Sequence, residues 1–245
     1  MIEDNGVMCM KRKITDRLVK WRNTAASRLP LLLYGARQVG KTYVMQELGA
    51  DYFKNTVYVN FEADRKIGDF FENEIHAEAV LGILERYYHT RIIPDETLII
   101  FDEIQMCERA LASLKYFAEE APEYHVIAAG SLLGVALKRE QFSFPVGKIQ
   151  MENMYPMDFE EFLWAVGNEM MMELIRDCYG NKRPLGQALH RKAMDLFRQY
   201  LIVGGMPQAV EAYVETADFD EVDIVKRRIL NLYREDIRMH AKGYE

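Results

Sequence analysis

Gly35-Ala36-Arg37-Gln38-Val39-Gly40-Lys41-Thr42 fits the spacing G-x-x-x-x-G-K-[ST], and its reading decides the rest of the chain. Glycines at both ends of such a loop let successive backbone N–H groups turn inward around an anion, because a Cβ there would block the approach or forbid the required φ. The stretch from Gly35 through Ala36, Arg37, Gln38, Val39, Gly40, Lys41 and Thr42 to Tyr43 is therefore a candidate phosphate cradle. Lys41 is placed to reach the β- and γ-phosphates, and the Thr42 hydroxyl offers an oxygen to Mg²⁺. An ordinary glycine turn would not need particular flanks. This one follows an apolar run at 31–34, of buried-strand type, and precedes a helical pattern over 42–48, the strand, loop, helix order that phosphate binding requires.

A second element carries acids. Thr97-Leu98-Ile99-Ile100-Phe101-Asp102-Glu103 has four apolar residues in a row ending in two carboxylates, about sixty residues beyond the glycine loop. A buried strand of a parallel sheet delivers its last residues to the edge where ligands bind, so Asp102 is a candidate for the metal shell. Glu103 is a candidate to polarise an attacking water, with Gln105 next in line for that role. Taken alone, an apolar run ending in acids would more simply be a strand meeting solvent. The segment 124–130 reads as a further strand ending at Ser131, which either senses the γ-phosphate or caps a helix over 132–137, two readings of equal weight.

The remaining pattern places a helix over 11–24 with Ile14, Leu18 and Trp21 on one face, a strand over 56–61, a helix over 74–89 with Val80, Ile83, Leu84 and Tyr87 on its apolar face, and a helix built on Leu111, Leu114, Phe117 and Ala118. A fifth strand is expected over 146–151. Alternating strands and helices define an α/β class: a P-loop NTPase parallel sheet sandwiched by helices, over 11–156. From about Met157 strand signals cease, and helices are expected over 159–166, 170–179, 186–202, 208–215 and 221–239, giving a smaller all-helical region over 157–245. Met170, Met171 and Met172 read as core filler, and Gly204-Gly205-Met206-Pro207 as a helix stop followed by a helix start.

Composition excludes several classes. A formal charge of -7 argues against a surface that grips nucleic acid throughout. Cys9, Cys107 and Cys178 are too scattered for a disulfide framework or a metal cluster, as expected of a reduced, cytoplasmic protein. No apolar run approaches the ~20 residues of a membrane span.

With these residues in view, the chain resembles the AAA-type ATPases of bacteria and archaea in which an N-terminal AAA domain precedes an uncharacterised C-terminal domain. The resemblance rests on the stretch from Leu32 through Thr42, on Tyr58-Val59-Asn60-Phe61-Glu62, on Ile100-Phe101-Asp102-Glu103-Ile104-Gln105, and on Ala129-Gly130-Ser131-Leu132-Leu133-Gly134. Phe144-Pro145-Val146-Gly147-Lys148, Tyr155-Pro156-Met157-Asp158-Phe159-Glu160-Glu161-Phe162-Leu163 and Gly204-Gly205-Met206-Pro207 extend it. Arg37-Gln38 and the Tyr-Pro-x-x-Phe-Glu-Glu-Phe stretch are its more specific parts. Lys148 departs from the arginine usual after Pro-Val-Gly, and lysine lacks the planar fork that grips phosphate bidentately. Members of this family are usually much longer, so the resemblance implies that the chain stops within the C-terminal domain.

The expected activity is Mg²⁺-dependent ATP hydrolysis coupled to movement of the helical region, with ATP and ADP as ligands, Lys41, Glu103 and Ser131 as catalytic residues, and Thr42 and Asp102 at the metal. The alternative is a nucleotide-gated module, with little or no turnover, that presents its helical part to a protein or to DNA. A kinase-like transferase is a third reading, disfavoured because an Asp-Glu pair suits water activation and no acceptor site is evident. A protein partner is expected and self-association is left open. DNA contact through Lys226-Arg227-Arg228, Arg234, Arg238 and Lys242 ranks behind a solvated helix face, since consecutive basic residues point around a helix and Glu235 and Asp236 interrupt them.

Overall fold

The structure, a computed structural model, describes residues 10–24, 28–131 and 147–241. The described residues divide into two compact units, one within Ile14–Met154 and the other combining residues 10–13 with 155–241.

The first unit is built on five parallel strands, β1 (Leu31–Gly35), β2 (Asn55–Asn60), β3 (Thr97–Asp102), β4 (His125–Ser131) and β5 (Gln150–Met154), in the spatial order β2-β3-β4-β1-β5. Every residue of β3 and β4 is buried, which is why they read as continuous runs instead of alternating ones. The edge strands β2 and β5 are only partly covered. Around the sheet lie α1 (Lys13–Arg22), α2 (Lys41–Tyr52), α3 (Arg65–Asn73), α4 (Ala77–Tyr87) and α5 (Glu108–Glu120). The anticipated parallel sheet with flanking helices is what the chain forms.

Three expectations are corrected here. The helix expected over 74–89 is shorter, with α4 running from Ala77 to Tyr87, and it is preceded by α3, which was not expected and which packs Ile67 and Phe71 into the core through a single i, i+4 pair. Tyr87 is exposed and its hydroxyl donates to Asp64, while Ala77, Val80 and Leu84 form the buried face. The fifth strand lies later than expected, with Gln150 opposite Leu31 and Met154 opposite Gly35. The expected helix over 132–137, and Val146, lie outside the described residues.

The second unit is helical: α6 (Phe159–Ala165), α7 (Glu169–Gly180), α8 (Gln187–Val203), α9 (Pro207–Thr216) and α10 (Phe219–Ala241). Asp158 and Glu161 close a capping box at the start of α6, each side chain accepting the other's backbone N–H at 3.0 Å. The buried Arg12 guanidinium donates to Glu161 at 3.2 Å and to the Tyr155 carbonyl at 2.7 Å. Lys13 pairs with Asp158 at 2.5 Å and with Glu160 at 2.7 Å, and Glu160 also holds Arg176. The Tyr-Pro-x-x-Phe-Glu-Glu-Phe stretch is thus an ion-paired helix start. Of the three consecutive methionines Met171 is buried, whereas Met170 is 80% exposed, so the run is not core filler as a whole. Gly204, at φ 80°, caps α8, and Pro207 opens α9. A Cβ on Gly205 would lie 2.0 Å from the Met157 carbonyl oxygen. Glycine is required there because the two backbones touch: the Met157 N–H donates to the Gly205 carbonyl at 2.6 Å.

Candidate nucleotide site

Parallel pairing sets the geometry of the site. Strand β4 lies between β1 and β3, and its last residue, Ser131, stands opposite Gly35. The loop after β1, the acids ending β3 and the end of β4 consequently converge on one edge of the sheet, the carboxyl edge at which open α/β sheets bind ligands.

From Gly35 the chain turns through Ala36, Arg37, Gln38 and Val39 to Gly40. Gln38 at φ 64° and Gly40 at φ 95° both adopt left-handed backbone, and this reversal of sense lets successive N–H groups face one point. Gly35 admits no side chain: an added Cβ would lie 2.2 Å from the Met154 carbonyl oxygen of β5. Val39 is fully buried and pins the loop, whereas the Gln38 side-chain oxygen is buried without a hydrogen-bond partner. Helix α2 starts directly after Gly40, no side chain caps its first turn, and half-buried Tyr43 lies in that turn.

The Lys41 ammonium folds back over the loop, donating to the carbonyls of Gly35 at 3.1 Å and Ala36 at 2.8 Å. Burial pushes its pKa down, opposed by the nearby carboxylates of Glu103 and Asp102. The Thr42 hydroxyl donates to Asp102 Oδ2 at 2.6 Å, joining the glycine loop to the acid-bearing strand. Asp102 is 2% exposed, and its other oxygen accepts the Glu103 N–H at 2.9 Å. Glu103 itself sits in left-handed backbone at φ 49°, a conformation that costs a non-glycine residue about 1–3 kcal/mol and gathers at functional sites. Its carboxylate accepts from Gln105, whose own carbonyl oxygen accepts the Ser131 N–H at 3.3 Å. Lys148 pairs with Glu119 on α5 at 3.1 Å.

Sequence reasoning did not assign a site role to Tyr58 or Asn60. The Tyr58 hydroxyl donates to Asp102 Oδ2 at 2.8 Å and accepts from Asn60 at 3.2 Å. Burial and the hydrogen bond to Asp102 push the Tyr58 pKa up to about 12, so the phenol is a dependable donor at neutral pH. The signal was present in the alternation of β2: Val57 and Val59 face the core, which leaves Tyr58 and Asn60 on the opposite face.

Comparison with known proteins agrees with this fold. A family model described as an AAA domain matches residues 27–163, and a second, described as a domain of unknown function (DUF8612), matches residues 194–245. Among solved structures, the Walker-type ATPase PABY2304 of Pyrococcus abyssi superposes with a TM-score of 0.54 at 16% identity, over 98% of this chain and 79% of that one. PCH-2 of C. elegans follows at a TM-score of 0.47 and 12% identity, over 89% and 68% of the two chains. AMPPCP-bound DnaA from Aquifex aeolicus gives 0.43 and 12% over 93% and 69%. No curated protein matches. With more than half of its length matched by one family model, and with the glycine loop, Asp102 and Glu103 inside the match, the chain belongs to the AAA domain family of P-loop ATPases.

Proposed function

We propose that the protein binds ATP with Mg²⁺ and hydrolyses it, and that hydrolysis changes the conformation of its helical region. The observation that carries the reading is the 2.6 Å hydrogen bond from Thr42 to Asp102, which joins the phosphate loop to the acid-bearing strand with Lys41 and Glu103 close by. In this reading the backbone from Gly35 to Gly40 and the first turn of α2, Tyr43 included, cradle the phosphates. Lys41 gives up its loop carbonyls for phosphate oxygens. Glu103 takes the proton of the attacking water, and Ser131, opposite Gly35, stands at the γ-phosphate end.

The donors fit Mg²⁺. Among the described residues no cluster of three or more His, Cys, Asp or Glu forms an all-protein cage. Mg²⁺ seldom uses one: it takes one or two carboxylates together with substrate phosphates, and a hydroxyl beside a buried carboxylate is such a set. Thr42 and Asp102 would hold the ion, which when bound neutralises charge on the phosphates.

We assign the ATPase domain to 11–156 and the responding helical region to 157–245, although compactness groups Arg12, Lys13, Tyr155 and Pro156 with the helical region. Two compact units, one bearing the phosphate loop, are the arrangement that coupling requires. A cytoplasmic setting is consistent with Cys107 and Cys178, which among the described residues are buried and in no disulfide, and no helix among the described residues is long and apolar enough to cross a membrane.

Glu103→Gln tests the assignment by keeping size and hydrogen-bonding capacity while removing the base. ATP affinity, measured with a fluorescent analogue, should persist while turnover falls by about 10²-fold or more. Equal turnover in parent and variant would remove Glu103 from the chemistry. A parent that binds ATP tightly yet turns over negligibly would favour the nucleotide-gated module.

A further inference from the structure

Gln105 lies on the 3₁₀ turn Ile104–Met106 that follows β3, is 7% exposed, and uses both ends of its amide. Its nitrogen donates to the Glu103 carboxylate and its oxygen accepts the Ser131 backbone N–H at 3.3 Å. The orientation follows from the partners. A backbone N–H only donates, so the amide oxygen must face Ser131, and a carboxylate only accepts, so the amide nitrogen must face Glu103. A side chain at this point must therefore offer an acceptor one way and a donor the other. A carboxylate in its place would set two negative charges together, and a methionine would fill the space with neither function.

We propose that Gln105 is a positioning residue for hydrolysis: it fixes the Glu103 carboxylate against the end of β4, so that the orientation of the water-activating group follows the backbone of Ser131. Three observations converge on this. Glu103 is in left-handed backbone, so its side chain leaves the strand in a direction that the β3 pleat does not set, and an outside contact is needed to fix it. The 3₁₀ turn is itself anchored, by fully buried Ile104 and by the Met106 N–H donating to the Glu103 carbonyl at 2.9 Å. Ser131 stands opposite the first glycine of the phosphate loop, so a shift of the β4 end on nucleotide binding passes through one amide to Glu103.

The inference rests on the hydrolytic reading of Glu103, and a double-mutant cycle on the full chain separates the two. Gln105→Met should lower kcat about 10- to 100-fold, the effect of a catalytic group out of position, while affinity for a fluorescent ATP analogue stays at the parent value. Gln105→Glu, which retains the length of the side chain and its acceptor for Ser131, should also lower kcat. In the Glu103→Gln background Gln105→Met should cost nothing further, because the group it positions no longer acts as a base. Unchanged kcat in both Gln105 variants, or the same loss of turnover with and without Glu103, overturns the positioning role. Normal turnover by Glu103→Gln alone removes the hydrolytic assignment and the positioning role together. Thermal unfolding of each variant separates these outcomes from loss of the fold.

Discussion

Asp102 is the residue on which the site is hung. One of its oxygens accepts both the Thr42 and the Tyr58 hydroxyls and the other the Glu103 N–H, so a nearly fully buried carboxylate is satisfied from three directions. An acid this enclosed would be costly without those donors. Tyr58→Phe removes one of them and leaves the ring in place, so the β2–β3 pairing of Tyr58 with Ile100 should survive. Loss of a hydrogen bond that orients a metal-holding carboxylate typically costs 10–100-fold in metal affinity or activity. The expected result is a Mg²⁺ titration of ATPase activity shifted to about tenfold higher concentration, with a melting temperature close to the parent's. An unshifted titration would leave Tyr58 as a packing residue. The glycine loop and the acids were legible in the sequence because their chemistry demands particular residue types at particular spacings. The part played by Tyr58 was not, because an aromatic residue on a strand ordinarily reads as core, and its contact is with a residue 44 positions away.

At the scale of elements, legibility followed the presence of an apolar or β-branched run: even the partly covered edge strand β2, expected over 56–61, was read to within a residue. The fully buried β3 and β4 were read to within a residue, whereas the edge strand β5, with Gln150, Glu152 and Asn153 among its five residues, lacked an apolar run to mark its start. Helix α3 escaped because Gly68, a poor helix former, lies inside it and a single buried pair, Ile67 and Phe71, anchors it. Helix α6 is the opposite case, with its start written out in the sequence. Burial alone pushes the Asp158 carboxyl up, but Lys13 and the Glu161 backbone N–H outweigh burial and hold it below the ordinary carboxylate range. Glu160 is likewise lowered: burial opposes the shift and is overcome by Arg176 and Lys13. A carboxylate with a depressed folded pKa adds stability that is complete above its unfolded pKa and disappears as pH falls through the folded value. Asp158→Ala should therefore cost about 1 kcal/mol at pH 7, the usual worth of a helix cap. The gap between parent and variant should narrow as pH falls below about 4, where the unfolded carboxyl begins to take up its proton. Urea unfolding of both proteins at pH 7 and pH 3 checks this: a gap that stays the same in acid would mean that charge plays no part in the cap, and one that widens would mean that the charge opposes it.

For the whole molecule, a formal charge of -7 sets the terms on which any partner is met. The basic stretch of α10 is the one place where the sequence suggested DNA contact, and two of its charges are paired with acids on the same helix. Arg227 pairs with Asp223 at 2.7 Å, Arg238 with Glu235 at 2.8 Å, and Lys226 donates to the Ile202 carbonyl at 2.7 Å. Lys242 lies outside the described residues. Exposed pairs of this kind are each worth about 0–1 kcal/mol, so they could be broken by a strong anion, but they lower the local positive field that would attract one. Phosphate contacts release counterions, and log K falls with log salt by about 0.9 per phosphate neutralised on duplex DNA. A gel-shift series with duplex DNA, from low to physiological salt, should give no salt-dependent binding for the parent chain. Arg227→Gln with Arg228→Gln should leave that result unchanged. A steep slope that the double substitution reduces by about two phosphate equivalents would instead assign α10 to nucleic acid and revive the nucleotide-gated DNA-binding reading. Its absence leaves the exposed Ile224, Leu230, Leu232 and Ile237 of the same helix as the surface to probe for a protein partner.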